Sequence, residues 1–261
     1  MLVDTHFPAA KEEIPQQVYW NERTITFEEL ERSLTDWINE DLVRLALRQF
    51  KPGKAVGPDG FKPVIFKYLP DNMITNITVV YKACILLHYT PIPWRKTKIV
   101  FLPKPGKDTY RKPKSFRPIS LSNYLIKGLE RLMVWDTEKH LKTKPLHPKQ
   151  HGFTKGKATD SALSNTANKI EQHLFNHEGC IGIFLDISSA FDSISVDHIR
   201  NRLLHHGANE DAVGWYHNLL KERHLEITLQ EETVYYHTGT GFPQGGVASA
   251  KFWNIAFDEA I

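Results

Sequence analysis

Cysteine is nearly absent from this 261-residue sequence. Cys84 and Cys180 are the only two, too few for a disulfide framework or a zinc site, and they read as reduced thiols of an intracellular protein. Long apolar runs are missing as well: no stretch approaches the roughly 18 residues that a membrane span requires. The first 20 residues lack the basic-then-apolar shape of a signal peptide, so the sequence predicts neither a membrane protein nor a secreted one. Thirteen histidines include no His-Glu-x-x-His, and no Gly-x-Ser-x-Gly supports a Ser-His-Asp hydrolase. The glycine loop at 241–246 lacks the Gly-Lys-Ser/Thr ending of a phosphate loop. Internal repeats and low-complexity tracts are also missing.

What is present is an ordinary globular composition with an uneven charge distribution. The chain is 41% hydrophobic and 24% charged, enough to bury one large domain or two lobes. Its net charge is only +3, yet residues 95–117 hold nine Lys or Arg against the single acid Asp108. That segment is +8 and the remainder −5. Lys142, Lys144, Lys149, Lys155 and Lys157 follow with no acid among them. A solvated face is the plainer explanation of such runs; strand and turn signals inside them make a phosphate-facing surface equally good.

Residues 1–24 are spotted with proline and irregular. Thr26-Phe-Glu-Glu29 is a capping box that predicts a helix from about Phe27. A second helical stretch carries Leu42, Leu45 and Ala46, and Lys-Pro-Gly-Lys-Ala-Val-Gly-Pro-Asp-Gly at 51–60 is a long turn-rich loop. Helices are predicted over 62–69 and 74–88. Lys96 to Leu102 and Ser115 to Leu121 read as two strands of a basic hairpin, with Lys104 near its tip and Arg117 on its return. An amphipathic helix follows over 124–141 with Leu125, Leu129, Leu132 and Met133 on one side, and another over 159–175. Helices at 196–206 and 211–221 precede a hairpin over 225–237. Gly239 to Ser249 is a glycine loop that feeds a final helix.

Ile181, Ile183 and Leu185 alternate with Gly182, Phe184 and Asp186, the period of a buried strand with Asp186 at its carboxyl end. A carboxylate held there could collect a hard divalent cation, although capping of the following turn is the commoner role of a lone Asp. Four motifs then stand in one order: Gly-Pro-Asp-Gly at 57–60, Arg-Pro-Ile-Ser-Leu at 117–121, Phe-Leu-Asp-Ile-x-x-Ala-Phe-Asp at 184–192, and Phe-Pro-Gln-Gly-Gly-Val-x-Ser at 242–249.

That set resembles the reverse transcriptase domain of non-LTR (LINE-type) retrotransposons. Thr5-His-Phe-Pro8 with Lys54-Ala-Val-Gly-Pro-Asp-Gly60 is most similar to the R1 and jockey-like groups. The resemblance implies an α+β right-hand polymerase: mostly helical fingers with a basic β-hairpin, and an antiparallel palm sheet backed by helices. It divides the chain into an N-terminal extension with helices at 1–50, fingers with the start of the palm at 51–175, and an incomplete palm at 176–261. It implies an RNA template, a DNA primer and dNTP as partners, no membrane, and a cytoplasmic ribonucleoprotein and the nucleus as locations. Two Mg²⁺ ions are implied as cofactors, with Asp186 as the first metal-binding aspartate and the carbonyl of Ile187 as a second ligand.

By the same resemblance Arg117 grips the triphosphate with Lys104 as its partner, Lys107, Lys112 and Lys114 being near competitors. Backbone amides of Ser189 and Ala190 meet the triphosphate, Phe191 lies against the incoming sugar, and Gln244 and Gly245 lie against the nascent base pair. Core packing is the alternative for Phe191, and Asp192 is expected to be structural. Two departures bear on this. Val247-Ala-Ser-Ala250 replaces the family's usual Val-Leu-Ser-Pro and is expected to soften the start of the last helix. The hairpin that supplies two further aspartates does not occur within the 261 residues, so the chain alone is expected to polymerise little DNA. Rival readings are a non-catalytic nucleic-acid-binding remnant, a group II intron-type reverse transcriptase and, more distantly, an unrelated metal-dependent hydrolase.

Overall fold

The structure, a computed structural model, describes residues 1–12, 26, 28–29, 37–229 and 231–260. Its strands are β1 (Lys11–Glu12), β2 (Lys96–Pro103), β3 (Phe116–Ser122), β4 (Arg223–Leu229) and β5 (Glu232–Thr238), joined in one sheet in the order β1-β5-β4-β2-β3. Three pairings are antiparallel, while β2 and β4 run parallel. The expected antiparallel sheet is therefore corrected to a mixed one. A parallel neighbour needs a long crossover; here everything between β3 and β4 supplies it.

Ten α-helices are described: α1 (Leu2–His6), α2 (Glu40–Arg48), α3 (Asp71–Leu86), α4 (Ile92–Arg95), α5 (Tyr124–His140), α6 (Thr159–Phe175), α7 (Ala190–Ser193), α8 (Val196–His205), α9 (Glu210–Lys221) and α10 (Ser249–Phe257). Side chains that accept first-turn amides fix several starts: Asn39 takes Leu42 N–H at 2.9 Å and Asn209 takes Ala212 N–H at 3.0 Å. The Thr26–Glu29 capping box forms reciprocally, at 2.8 and 3.2 Å. The remainder of the helix expected after it lies outside the described residues.

α5 runs through the main core, burying Leu129, Leu132 and Met133 with Tyr81 of α3, Trp215 and Tyr216 of α9 and Phe252 of α10. A second cluster forms on one sheet face from Leu225, Ile227 and Ile99, covered by Val3 and Phe7. The N-terminus was expected to be irregular throughout. Instead residues 2–6 form a helix and 11–12 pair with β5, because Val3 and Phe7 cover that apolar sheet face.

The larger correction concerns residues 181–187. They make no strand pairing among the described residues, and Ile181, Ile183, Phe184 and Leu185 are 81–91% exposed. The alternation is present but no sheet edge receives it. Beyond β3 the edge is already taken: Ser120 N–H donates to the Gln244 carbonyl at 2.7 Å. α6, which leads into this segment, forms over the expected span with none of its residues buried.

Candidate functional site

The hairpin β2–β3 pairs in the register Leu102↔Arg117 and Pro103↔Phe116, and Lys104 N–H to Ser115 C=O (2.8 Å) carries the pairing one step further. The pleat sets Arg117, Leu102 and Lys104 on one face. The opposite face is buried through Pro118, Ser120 and Ser122, which leaves Arg117 exposed with no ion pair among the described residues. Lys104 is half-buried, and its ammonium donates to the Lys114 carbonyl at 3.0 Å. Lys107, Lys112 and Lys114 stay exposed in the connecting loop.

Gln244 and Gly245 lie at the outer edge of β3. Gly245 has φ +120°, and a Cβ there would come 2.8 Å from the Ser120 carbonyl, so a side chain would push the loop off the strand. Gly245 is exposed, and the half-buried Gln244 side chain makes no hydrogen bond among the described residues. Gln244 and Gly245 thus sit beside the strand that carries Arg117, with amide and backbone open to a ligand.

The same loop is tied to the third motif. Gly241 N–H donates to the Ile194 carbonyl (2.9 Å) and Phe242 N–H to the Phe191 carbonyl (2.6 Å). At Gly241, with φ +72°, a Cβ would fall 2.4 Å from the Phe191 oxygen. Phe191 itself is half-buried, stacked on Trp253 at 5.2 Å with Phe153 and Phe242 at its edges. It has the packing of a core residue. Ser189 adopts a left-handed conformation (φ 52°) and its carbonyl accepts from Asp192 and Ser193, so Ala190 opens the one-turn α7.

Asp186 is exposed on the unpaired segment, with Ile187 beside it at 44% exposure. Among the described residues no group of three or more His, Cys, Asp or Glu could hold a metal ion. One carboxylate and one carbonyl could give a single hard dication its first protein oxygens, since such an ion takes one or two carboxylates and otherwise water and phosphate, but they leave a second ion without a carboxylate of its own. The structure thus brings Arg117, Lys104, Gln244, Gly245 and Phe191 to connected elements and leaves Asp186 and Ile187 apart from them.

Sequence reasoning missed two groups here. Arg223 is fully buried and donates to the carbonyls of Thr240, Gly241 (3.0 Å) and Leu220 (3.3 Å), fixing the glycine loop from beneath. Burial pulls its guanidinium down to about 10, and nearby Asp192 is pushed up to about 6 by burial, with Arg223 opposing the rise. Glu130 of α5 is 2% exposed and its Oε2 accepts the Val247 N–H at 2.9 Å. The start of α10 is therefore held by a remote carboxylate, which offsets the softening expected from Val247-Ala-Ser-Ala250. A charged residue inside an apolar helix stripe was the signal that could have found Glu130.

Known proteins match these elements. A family model described as reverse transcriptase (RNA-dependent DNA polymerase) matches residues 102–261. The chain is 31% identical over 197 residues to the probable RNA-directed DNA polymerase from transposon X-element of Drosophila melanogaster, covering 74% of this chain and 21% of that protein. It is 26% identical over 230 residues to the Pol polyprotein from type-1 retrotransposable element R1 of Bradysia coprophila, covering 88% of this chain and 22% of that protein. With the RNA-directed DNA polymerase from mobile element jockey of Drosophila melanogaster it shares 32% identity over 143 residues, 54% of this chain and 15% of that protein. The chain thus spans about a fifth of the length of the first two relatives.

Proposed function

Since the chain belongs to the reverse transcriptase (RNA-dependent DNA polymerase) family, of the R1 and jockey-like kind, we propose that it is the nucleotide-facing part of a non-LTR retrotransposon polymerase. It would help copy an RNA template into DNA by adding dNTP to a primer 3′-hydroxyl. The observation that carries this is the seating of Gln244 and Gly245 on the edge of β3, through the 2.7 Å Ser120–Gln244 hydrogen bond, on the strand that also carries the exposed Arg117.

On this reading the Arg117 guanidinium binds the triphosphate as a two-pronged donor, and Lys104 adds a point charge on the same face. Gln244 and Gly245 let a base pair approach the backbone closely. Phe191 limits the space at the sugar from within its aromatic cluster, and the amides of Ser189 and Ala190 lie on the phosphate side. Residues 51–175 serve as fingers with the start of the palm, residues 176–261 as palm, and residues 1–50 as an extension. The family works with divalent metal ions, and Mg²⁺ would take Asp186 and the Ile187 carbonyl. Those two oxygens do not fit a complete metal site without further carboxylates, so the work assigned to these residues is binding and orientation.

Mg²⁺-dependent extension of a DNA primer on RNA tests this, in a polymerase that carries these residues. Asp186→Asn is expected to abolish extension, and Arg117→Ala to raise the KM for dNTP about tenfold through loss of a charge-assisted contact. Extension that survives Asp186→Asn would remove Asp186 from the metal site, and a polymerase carrying all of these residues that never extends the primer would remove the catalytic assignment. Because no group of three or more His, Cys, Asp or Glu that could hold a metal forms among the described residues, these residues by themselves are expected to incorporate little nucleotide. Salt-sensitive binding without incorporation, even in a longer polypeptide, would favour the non-catalytic nucleic-acid-binding alternative.

A further inference from the structure

Helix α5 reaches two of the four motifs, and it does so with two charged residues one turn apart. Lys127 is 8% exposed, its ammonium 5.0 Å from the centre of the Tyr124 ring, and it is coupled electrostatically to Asp59 of the Gly-Pro-Asp-Gly loop. Tyr124 donates its hydroxyl to the Ala55 carbonyl at 2.8 Å, which ties the same loop to the start of the helix. Glu130, three residues after Lys127, is 2% exposed and accepts the Val247 amide at 2.9 Å. A buried carboxylate among Leu129, Leu132 and Met133 is costly to desolvate and is retained only where its partners repay that cost.

The amides that hydrogen-bond it belong to the loop that presents Gln244 and Gly245, Lys127 and Arg131 face it from α5 itself, and Arg223 of β4 and Tyr216 of α9 interact with it electrostatically. Burial pushes the Glu130 carboxyl up, and the Val247 amide, Lys127, the Ala248 amide and Arg131 pull it back. The loop folds tightly onto this anchor. Gly246 N–H and the Ser249 hydroxyl both donate to the Pro243 carbonyl, at 3.0 and 2.8 Å. Upstream, Ser120 holds the Gln244 carbonyl. Residues 244 and 245 therefore hang between two fixed points, β3 on one side and Glu130 on the other. Ala248 at the helix start offers no side-chain cap of its own, so no local group replaces Glu130.

We propose that Glu130 is a positioning residue for the nucleotide-facing loop, its buried carboxylate fixing the Val247 amide so that Gln244 and Gly245 stay seated against β3, the strand that carries Arg117. The proposal deepens the polymerase assignment and rests on it for the identity of the ligand. The carboxylate does not touch the nucleotide; it sets where the groups that do are held. Removing it frees one end of the loop while the Ser120 contact keeps the other. The loss should fall on nucleotide affinity and leave the grip on duplex, which the basic hairpin supplies, largely intact.

Glu130→Ala and Glu130→Gln in this chain test the idea by two measurements. The first is hydrogen exchange over residues 242–249, with α8 and α9 as internal reference. Glu130→Ala is expected to speed exchange of the loop about tenfold with the reference helices unchanged, and Glu130→Gln, which keeps one carbonyl acceptor, to restore most of the protection. The second is affinity for primer–template and then for dNTP in the presence of primer–template. Glu130→Ala should raise the dNTP dissociation constant about tenfold and change that for primer–template less than twofold, with Glu130→Gln near the parent chain. Unchanged loop exchange in Glu130→Ala, or equal losses for duplex and nucleotide, would overturn the proposal. If the parent chain binds no dNTP, the nucleotide-facing role of this loop falls for this chain, and loop exchange alone still decides whether Glu130 is the clamp.

Discussion

Buried charge beneath the glycine loop makes its strongest claim at Asp192. Its backbone lies against Gly241, its carboxyl is electrostatically linked to the fully buried Arg223, and burial raises that carboxyl from 3.8 to about 6. A carboxyl raised in the fold favours the folded state while it is protonated. The contribution is complete below about pH 4 and is lost as pH climbs through about 6, because the folded state must then hold a charge that it desolvates. The difference corresponds to at most about 3 kcal/mol. Urea unfolding at several pH values should therefore show the parent chain losing up to that amount relative to Asp192→Asn between pH 4 and pH 7. Parallel curves for the two proteins would mean that the carboxyl is solvated and uncoupled from folding. The sequence marks Asp192 only as the end of a motif. What sets its chemistry is burial beneath the glycine loop, opposed by Arg223 31 positions away, and no local pattern announces either. Glu130 is hidden for the same reason, since its partner is a backbone amide more than a hundred residues downstream.

Elements with strong periodicity were legible. Of the stripe Leu125, Leu129, Leu132 and Met133 the last three are buried on α5 and Leu125 partly so, and of the alternating Leu225, Ile227 and Leu229 the first two form the buried face of β4 while Leu229 is exposed at its end. The hairpin was legible too, with Lys104 near its tip and Arg117 on its return, because the Pro-Gly turn and Pro118 constrain both strands; the register that sets the two on one face is visible only in the structure. Residues 181–187 carry an equally good alternation and yet remain exposed. Periodicity states which side chains share a face; it does not supply a neighbour, and the β3 edge is filled by Gln244 instead. This difference is measurable. Ile183→Ser and Leu185→Ser, at positions 81% and 90% exposed, should each change the unfolding free energy by less than about 0.5 kcal/mol. Leu225→Ala, at a position 1% exposed in β4, should cost about 2–5 kcal/mol. Losses of the Leu225 size at 183 or 185 would put that segment into a core and restore the buried strand.

Charge asymmetry governs the molecule as a whole. With +8 concentrated in residues 95–117 and −5 spread over the rest, a polyanion is drawn to the edge of the sheet where β2 and β3 end in the basic loop. Lys107, Lys112 and Lys114 are exposed there and make no ion pair among the described residues, so each is available to replace a counterion on a phosphate. Binding through such contacts weakens with salt in proportion to the phosphates neutralised, by roughly 0.7–0.9 in log–log slope per contact. Replacing the three lysines with glutamine should lower the slope for primer–template by about 2 to 3 and leave thermal unfolding unchanged, because none of the three is buried. A slope that stays the same would move the phosphate contacts elsewhere, to Lys142, Lys149 and Lys155 first, and the same measurement on a glutamine triple variant there would locate them. Loss of affinity without loss of slope would instead mean that the loop acts through shape, and the hairpin would no longer account for the grip on nucleic acid.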